Sequence, residues 1–341
     1  MAVGYLCWTF IAVCQTVIRW IKGNFDEFNM NYILTILLIA LTIPIFLYTV
    51  FLNEFVHEYN QFLLYCASLQ RDFMPKSYDP NKSFANMVID FGAAVILAGL
   101  VILTLLTGCL IILYPRLPFL IGSIIPEKFF ILPVRLIVTP VQIYLCVCVY
   151  CTAILAVTSI YYYFCLMTPF VSQELRMDRK KYKTSDNLRT PKNLIKVYRT
   201  VQLLNIEAMF CCGPFIVPQQ ILLSKFIVFN NYMQILYSQQ MSWVTASLLG
   251  FWAFAFTLYW TIVLSFGGYL YYHTHKVLLS WKCHGWNCRA DSKLMAKFRK
   301  SCTPITVHHG KTFVIRPLTV LKFIRGLTVG TFRALLIGGR H

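Results

Sequence analysis

Eight residues able to bind a metal or carry out chemistry fall between positions 273 and 309: His273, His275, Cys283, His284, Cys288, Cys302, His308 and His309. Cys283-x4-Cys288 followed by Cys302-x5-His308 has the residue types of a zinc site, for which thiolate and imidazole are the usual ligands. The spacing is wider than the Cys-x2-Cys pairs of such sites, so the segment reads as a reduced loop with solvated histidines, and we expect no metal and no cofactor. Glu207 stands in an apolar stretch, where a carboxylate is a functional candidate by default. Its place near Arg199 instead reads as a snorkelling or ion-paired residue. The sequence has no nucleophile elbow, phosphate-binding loop, dinucleotide fingerprint or His-Glu-x-x-His, so nothing in it supports an enzyme.

The elements that must position these residues are set by composition. The chain has 341 residues, 58% hydrophobic and 13% charged, with a mean hydropathy of +0.62. Soluble domains carry about 25% charged residues. A shortage this deep, spread over the whole length, makes the lipid bilayer the solvent for most of the surface. The net charge of +18 lies in connecting segments between apolar runs, which is a topology signal rather than a nucleic-acid footprint; no nucleic-acid partner is expected. Many of the 13 cysteines lie inside apolar runs and behave there as small hydrophobes.

Six segments read as spans by length and apolarity: about 1–18, 31–52, 91–114, 140–167, 203–223 and 243–272. The first starts at the initiator Met and lacks the basic flank and cleavage site of a signal peptide. The fifth reads as broken, because it contains Pro214 and Pro218. Nine Lys and Arg lie between 176 and 199, and eight between 276 and 311. Two spans separate these loops, so both share a side, which the positive-inside rule makes cytoplasmic. Counting back places the N-terminus in the cytoplasm too. The loops expected inside are about 53–90, 168–202 and 273–316. In the first of these, Phe55, Phe62, Leu63, Cys66, Leu69 and Phe73 recur at helical spacing, predicting an amphipathic cytoplasmic extension of the second helix. A helix over 192–206 running into the fifth span predicts a second extension. The two would form a bundle below the membrane.

Aromatic residues crowd the sixth span: Phe251, Trp252, Phe254, Phe256, Tyr259 and Trp260. Such a stripe usually packs, yet it can also line a small apolar ligand pocket. Thr107, Tyr150 and Trp252, each in the expected outer half of its span, are the candidates for such a pocket.

The final segment, about 317–337, is a candidate seventh span. Pro317 suits a helix start, and about 20 residues rise roughly 30 Å, one bilayer core. On a helical wheel Lys322, Arg325 and Arg333 fall within about 80° of one another. An Arg facing lipid at the centre is costly, so a spanning helix must turn this stripe to protein or water. A helix lying in the interface is the competing reading.

The end of the chain, "KFRKSCTPITVHHGKTFVIRPLTVLKFIRGLTVGTFRALLI", resembles that of arthropod chemoreceptors of the gustatory and odorant receptor superfamily. Lys300, Pro304, Gly310 and Phe313 match in order the family's basic helix, short extended segment and Gly-x-Phe before a terminal helix. Thr331-Phe332 stands where gustatory receptors have Thr-Tyr, with Arg333 among the apolar positions and Gly338-Gly339 in place of the usual ending. The resemblance runs over nearly the whole chain, and the absent soluble N-terminus would make it a short or truncated member. It implies an all-α membrane protein of seven transmembrane helices, with a cytoplasmic N-terminus, an extracellular C-terminus and cytoplasmic helical extensions, multi-pass in the plasma membrane. It further implies a chemosensory ligand-gated cation channel for small tastants or odorants, built as a homo- or hetero-tetramer whose terminal helices line a central pore. Carried onto this sequence, the gate falls on Leu335, with a second gate position at Gly339. The basic stripe sits awkwardly with a cation pore, since rings of Arg favour anions.

A G-protein-coupled receptor would need an extracellular N-terminus, an acidic-Arg-aromatic signature closing span three and Asn-Pro-x-x-Tyr in the last span, and neither signature is present in the sequence. A transporter would show internal repeats, and none is visible. The sequon Asn81-Lys82-Ser83 lies in an expected cytoplasmic loop. It should therefore stay unglycosylated when the chain is expressed in insect cells; a glycosidase-sensitive mass shift lost in Asn81→Gln would invert the topology.

Overall fold

The structure is a computed structural model. It describes residues 2–21, 52–75, 121–123, 125–239, 243–286, 288–310 and 313–338, with further single positions at 32, 35, 36, 39 and 241 and scattered positions between 90 and 112. The protein is mostly helical. Helices α1 (Ala2–Ile21), α2 (Leu52–Phe73), α3 (Leu132–Pro169), α4 (Pro191–Leu236), α5 (Trp243–Cys283) and α6 (Arg289–Ser301) precede a two-stranded antiparallel hairpin, β1 (His308–His309) and β2 (Phe313–Val314), and the terminal helix α7 (Thr319–Gly338). The described positions at 32, 35, 36 and 39 and between 90 and 112 are all helical.

The two long helices α4 and α5 form the frame. Pro191 opens α4 at its first position, where a missing N–H leaves no bond unmade. The helix then runs 46 residues straight through Pro214 and Pro218. The break expected from these prolines does not occur. Each proline removes one ladder hydrogen bond, a cost of about 3 kcal/mol in an isolated helix. Burial on both sides offsets it: Leu204, Ala208 and Cys211 precede the prolines, and Leu223, Phe226 and Ile227 follow them, at about 1.5–3 kcal/mol for each large side chain. At 1.5 Å per residue α4 is about 69 Å long and α5 about 61 Å, each twice the thickness of a bilayer core. Among the described residues both are apolar and long enough to cross a membrane.

Near the joined end of these helices, polar side chains of α4 clamp α5. The fully buried Asn230 donates to the Leu249 carbonyl (2.5 Å) and accepts from Gln234 Nε2 (3.2 Å), which also reaches the Ala246 carbonyl (3.3 Å). Carbonyls freed or shared in this way stay satisfied, which an apolar surrounding demands.

The opposite end is where burial is most complete. Leu194, Val197, Tyr198 and Val201 of α4, Val277 and Trp281 of α5, and Met295 and Phe298 of α6 form its core. Tyr198 meets Trp281 edge-on at 5.2 Å, and Trp281 stacks on Phe298 at 6.1 Å. One aromatic triad thus locks three helices. The π turn after α3 (Phe170–Glu174) adds a polar clasp. The buried Glu174 carboxylate accepts from the backbone N–H groups of Lys183 and Thr184 and from the Thr184 hydroxyl, folding the 175–189 loop back onto the bundle. The Trp281 indole N–H donates to the Leu175 carbonyl at 2.8 Å. Helix α2 completes this end as its periodicity predicts, with Phe62 and Phe73 buried and Cys66 and Leu69 packed against the core, although Leu63 is exposed.

Burial of α2 against α4 raises the Glu58 carboxyl to about 7; the Cys211 thiol opposes the shift by hydrogen bonding, and the Glu207 charge adds to it. Glu58 Oε2 is buried with no hydrogen-bond partner among the described residues. Between the unfolded value near 4.5 and about 7, the folded chain holds a proton that the unfolded chain releases. Stability therefore falls as pH climbs through that window and levels off above it. Glu58→Gln should abolish this loss. Its unfolding free energy in detergent should match the parent's at pH 4.5 and exceed it at pH 8, by on the order of 1–2 kcal/mol after solvent screening.

Candidate functional site

The site is the tail from Cys302 to Gly338 together with the surfaces of α4 and α5 that hold it. After α6 the chain runs extended. Polar side chains spaced along one face of α4 receive it: Tyr198 Oη and Gln202 Nε2 both donate to the Thr303 carbonyl (2.9 Å each), and Asn205 Nδ2 donates to the Thr306 carbonyl (3.0 Å). Asn205 Oδ1 accepts from the Tyr163 hydroxyl (3.0 Å), tying in α3. His309 Nδ1 donates to the Gly213 carbonyl at 2.9 Å, and since a carbonyl only accepts, the proton sits on Nδ1. From Thr303 to His309 an extended chain advances about 20 Å, and from Tyr198 to Gly213 the helix advances about 22 Å. The tail thus lies alongside α4, rung by rung. Ile305 and Val307 turn into the core between the rungs.

The hairpin reverses at Gly310, whose φ of +56° suits glycine. Ile315 N–H then donates to the Val307 carbonyl (2.9 Å), and the Ile315 side chain is fully buried. Two glycines of α5 make room for this return. A Cβ on Gly267 would lie 3.0 Å from the Ile315 side chain, and one on Gly268 would lie 3.0 Å from the Pro317 backbone. Pro317 therefore seats the start of α7 directly on the backbone of α5.

Helix α7 packs by a single seam of Val320, Phe323, Leu327, Gly330, Thr331, Ala334 and Gly338, in which Phe323 and Leu327 are buried and the rest half-buried. A Cβ on Gly330 would lie 3.0 Å from Val228, a methyl on Gly338 would overlap the Tyr232 phenol, and Asn231 Nδ2 donates to Thr331 Oγ1 at 3.4 Å. Distance along the bundle can be counted from the α4–α5 junction. Tyr232 lies about 6 Å below it on α4, and Gly268 about 37 Å below it on α5. The roughly 31 Å between them equals the length of α7 with its leading Pro317. The helix therefore stands upright beside α4 and α5. It does not lie across their ends.

Lys322, Arg325 and Arg333 are all exposed on the face turned away from this seam. Among the described residues none of the three side chains makes a hydrogen bond or ion pair. Leu335 is half-buried at the flank of the seam, beside the exposed Leu336 and Ile337. Gly339 and Thr107 lie outside the described residues, and of Tyr150 only the backbone, within α3, is described. Trp252 is half-buried in α5 against the core. Nearby Trp260 is buried with an indole N–H that has no acceptor among the described residues.

The His and Cys cluster does not converge: among the described residues no three His, Cys, Asp or Glu side chains come together as metal ligands. Cys288 Sγ instead caps α6 by accepting from the Asp291 N–H (3.3 Å), and His309 is a rung on α4. Arg199 does not pair with Glu207; it bonds Gln202 and Ser301 and lies over Phe298, while Glu207 is exposed. The residues missed from the sequence are Tyr198, Gln202 and Asn205. Their i, i+4, i+7 spacing on an otherwise mixed helix was the available signal.

No protein-family model and no curated protein matches the chain. Its fold is that of an insect olfactory receptor. It is similar to the solved structure of the insect olfactory receptor OR5 from Machilis hrabei, with a TM-score of 0.65 at 10% identity, covering 98% of this chain and 88% of that one.

Replacing Asn205 by Leu leaves the Thr306 carbonyl and the Tyr163 hydroxyl without their partner. This should destabilise the fold by about 2–3 kcal/mol, read as a lower unfolding midpoint in detergent. Gly268→Val, which drives a branched side chain against the Pro317 backbone, should lower it at least as far, whereas a change at the unobstructed Gly326 should leave it near the parent value.

Proposed function

We propose that this chain is a chemosensory receptor for small tastant or odorant molecules and that it acts as a subunit of a ligand-gated ion channel in the plasma membrane. The observation that carries the reading is a fold shared over almost the whole chain with an insect olfactory receptor. In this reading seven spans cross the bilayer, with the N-terminus inside and the C-terminus outside. The ends of α4 and α5 that exceed the bilayer core, with α2 and α6, form a cytoplasmic anchor.

Four copies, identical or mixed, surround a water-filled path lined by the free face of α7. The charge distribution supports this. Arg325 lies about 12 Å above Pro317 on a helix of about 30 Å, close to mid-depth. Against lipid such an Arg would cost about 2.5–3.5 kcal/mol on insertion scales, so the stripe belongs against water. The ligand binds among the upper spans, with Thr107, Tyr150 and Trp252 as pocket residues and the unpaired Trp260 N–H as a donor. Binding favours the open state by its greater affinity for it. Motion of α5 reaches α7 directly, because Gly267 and Gly268 touch Ile315 and Pro317. Leu335 and the position of Gly339 close the path, by an apolar constriction at the former.

Current recording from cells expressing the chain, with a panel of tastants and odorants, tests the reading. We expect ligand-evoked currents that persist when G-protein signalling is blocked. Leu335→Ala should raise the current without ligand several-fold at equal surface expression. Responses that vanish with G-protein blockade, or ligand uptake without conductance, would sink the channel reading.

A further inference from the structure

The charge on α7 stands alone. No Asp or Glu occurs between Glu207 and Asp291, and none follows Asp291. All of α5, all of α7, and α4 beyond Glu207 are therefore free of acid, and these are the elements against which α7 packs. No side chain on them can neutralise Lys322, Arg325 or Arg333. The first turn of α7 also lacks an acid, so the positive end of its helix dipole adds to Lys322.

Headgroups of one leaflet cannot absorb this charge. Lys322 and Arg333 are eleven residues apart on an upright helix, about 16 Å in depth, whereas a headgroup layer is only about 5–8 Å thick. Nor does a second copy help through the same surfaces, since its α5 and α7 are equally free of acid. Where copies meet around an axis, the three positions become three rings of positive charge stacked along the path. Rings of Lys and Arg attract and pass anions and repel cations.

We infer that the path along α7 conducts small inorganic anions such as chloride, with Lys322, Arg325 and Arg333 setting the selectivity. This rests on the reading that α7 lines a ligand-gated path, and departs from the cation selectivity that the family resemblance implies. Arg325, near mid-depth and farthest from bulk water, contributes most. Lys322 and Arg333, toward the two mouths, concentrate anions at either side.

The test is ion substitution on ligand-evoked currents of the unmodified chain. Tenfold dilution of external chloride with gluconate should move the reversal potential in the positive direction by most of the Nernst value. Replacing external sodium with N-methylglucamine should move it little. Arg325→Gln should lower the chloride-to-sodium permeability ratio at least fivefold, while Arg325→Lys should largely preserve it. In parallel, Val329→Cys on the free face and Ala334→Cys in the seam are treated with a charged thiol reagent, with the unmodified chain as control for its native cysteines. Block at position 329 and not at 334 shows that α7 lines the path. If block occurs but the reversal potential follows sodium, anion conduction is overturned and the channel reading stands. If ligand currents flow but modification at 329 leaves them unchanged, α7 does not line the path and the proposal falls with that reading.

Discussion

The attachment of an extended tail to one face of α4 is the interaction on which the rest of the structure depends. A backbone segment without regular structure carries unsatisfied N–H and C=O groups that cannot be buried unless something pairs them. Tyr198, Gln202, Asn205 and the Gly213 carbonyl supply the partners at intervals that match the advance of an extended chain. Once these rungs are in place, Ile305, Val307 and Ile315 are delivered to the core. The start of α7 then has only one place to go, the glycine pair on α5. Without them, the terminal helix would be a separate amphipathic segment, free to lie on a membrane surface.

The same two helices carry two different kinds of packing. At one end of α4 and α5 the packing is that of a soluble domain, with an aromatic triad, a buried carboxylate that accepts three hydrogen bonds, and loops pinned by side chains. At the other end the exposed surface is apolar, with Phe251, Phe254 and Leu258 outward, and polarity is turned inward as Asn230 and Gln234 clamp carbonyls of the neighbouring helix. Glycine does a third task between the two, by letting the backbones of α5 and the tail touch.

Much of this was legible in the sequence for physical reasons. The long apolar runs that became α4 and α5 and the 3.6-residue spacing of Phe62, Cys66, Leu69 and Phe73 each report which residues avoid water, and that is what hydropathy patterns record. The prolines misled, because Pro214 and Pro218 carry a local preference and the burial that overrides it comes from residues distant in sequence. The rungs stayed hidden for a related reason: Tyr198, Gln202 and Asn205 look like ordinary polar positions until the segment that they hold, a hundred residues later, is laid beside them. For the tail helix, the wheel placed the cations together but left its attitude open between crossing and lying flat. The contacts at Gly268 and Tyr232 fix only how it stands against its neighbours, upright beside α4 and α5, since only an upright rod can touch both.

Those same two contacts make the terminal helix a lever. Its base rests on the α5 backbone through Pro317, where no side chain intervenes to absorb movement, and its far end leans on Val228, Asn231 and the tip of the Tyr232 phenol. The stiff end and the soft end are about 30 Å apart. A tilt of about 5° at the base would carry the far end roughly 2.6 Å sideways over that length, most of the diameter of a water molecule, for a displacement at the glycine pair of only a few tenths of an ångström.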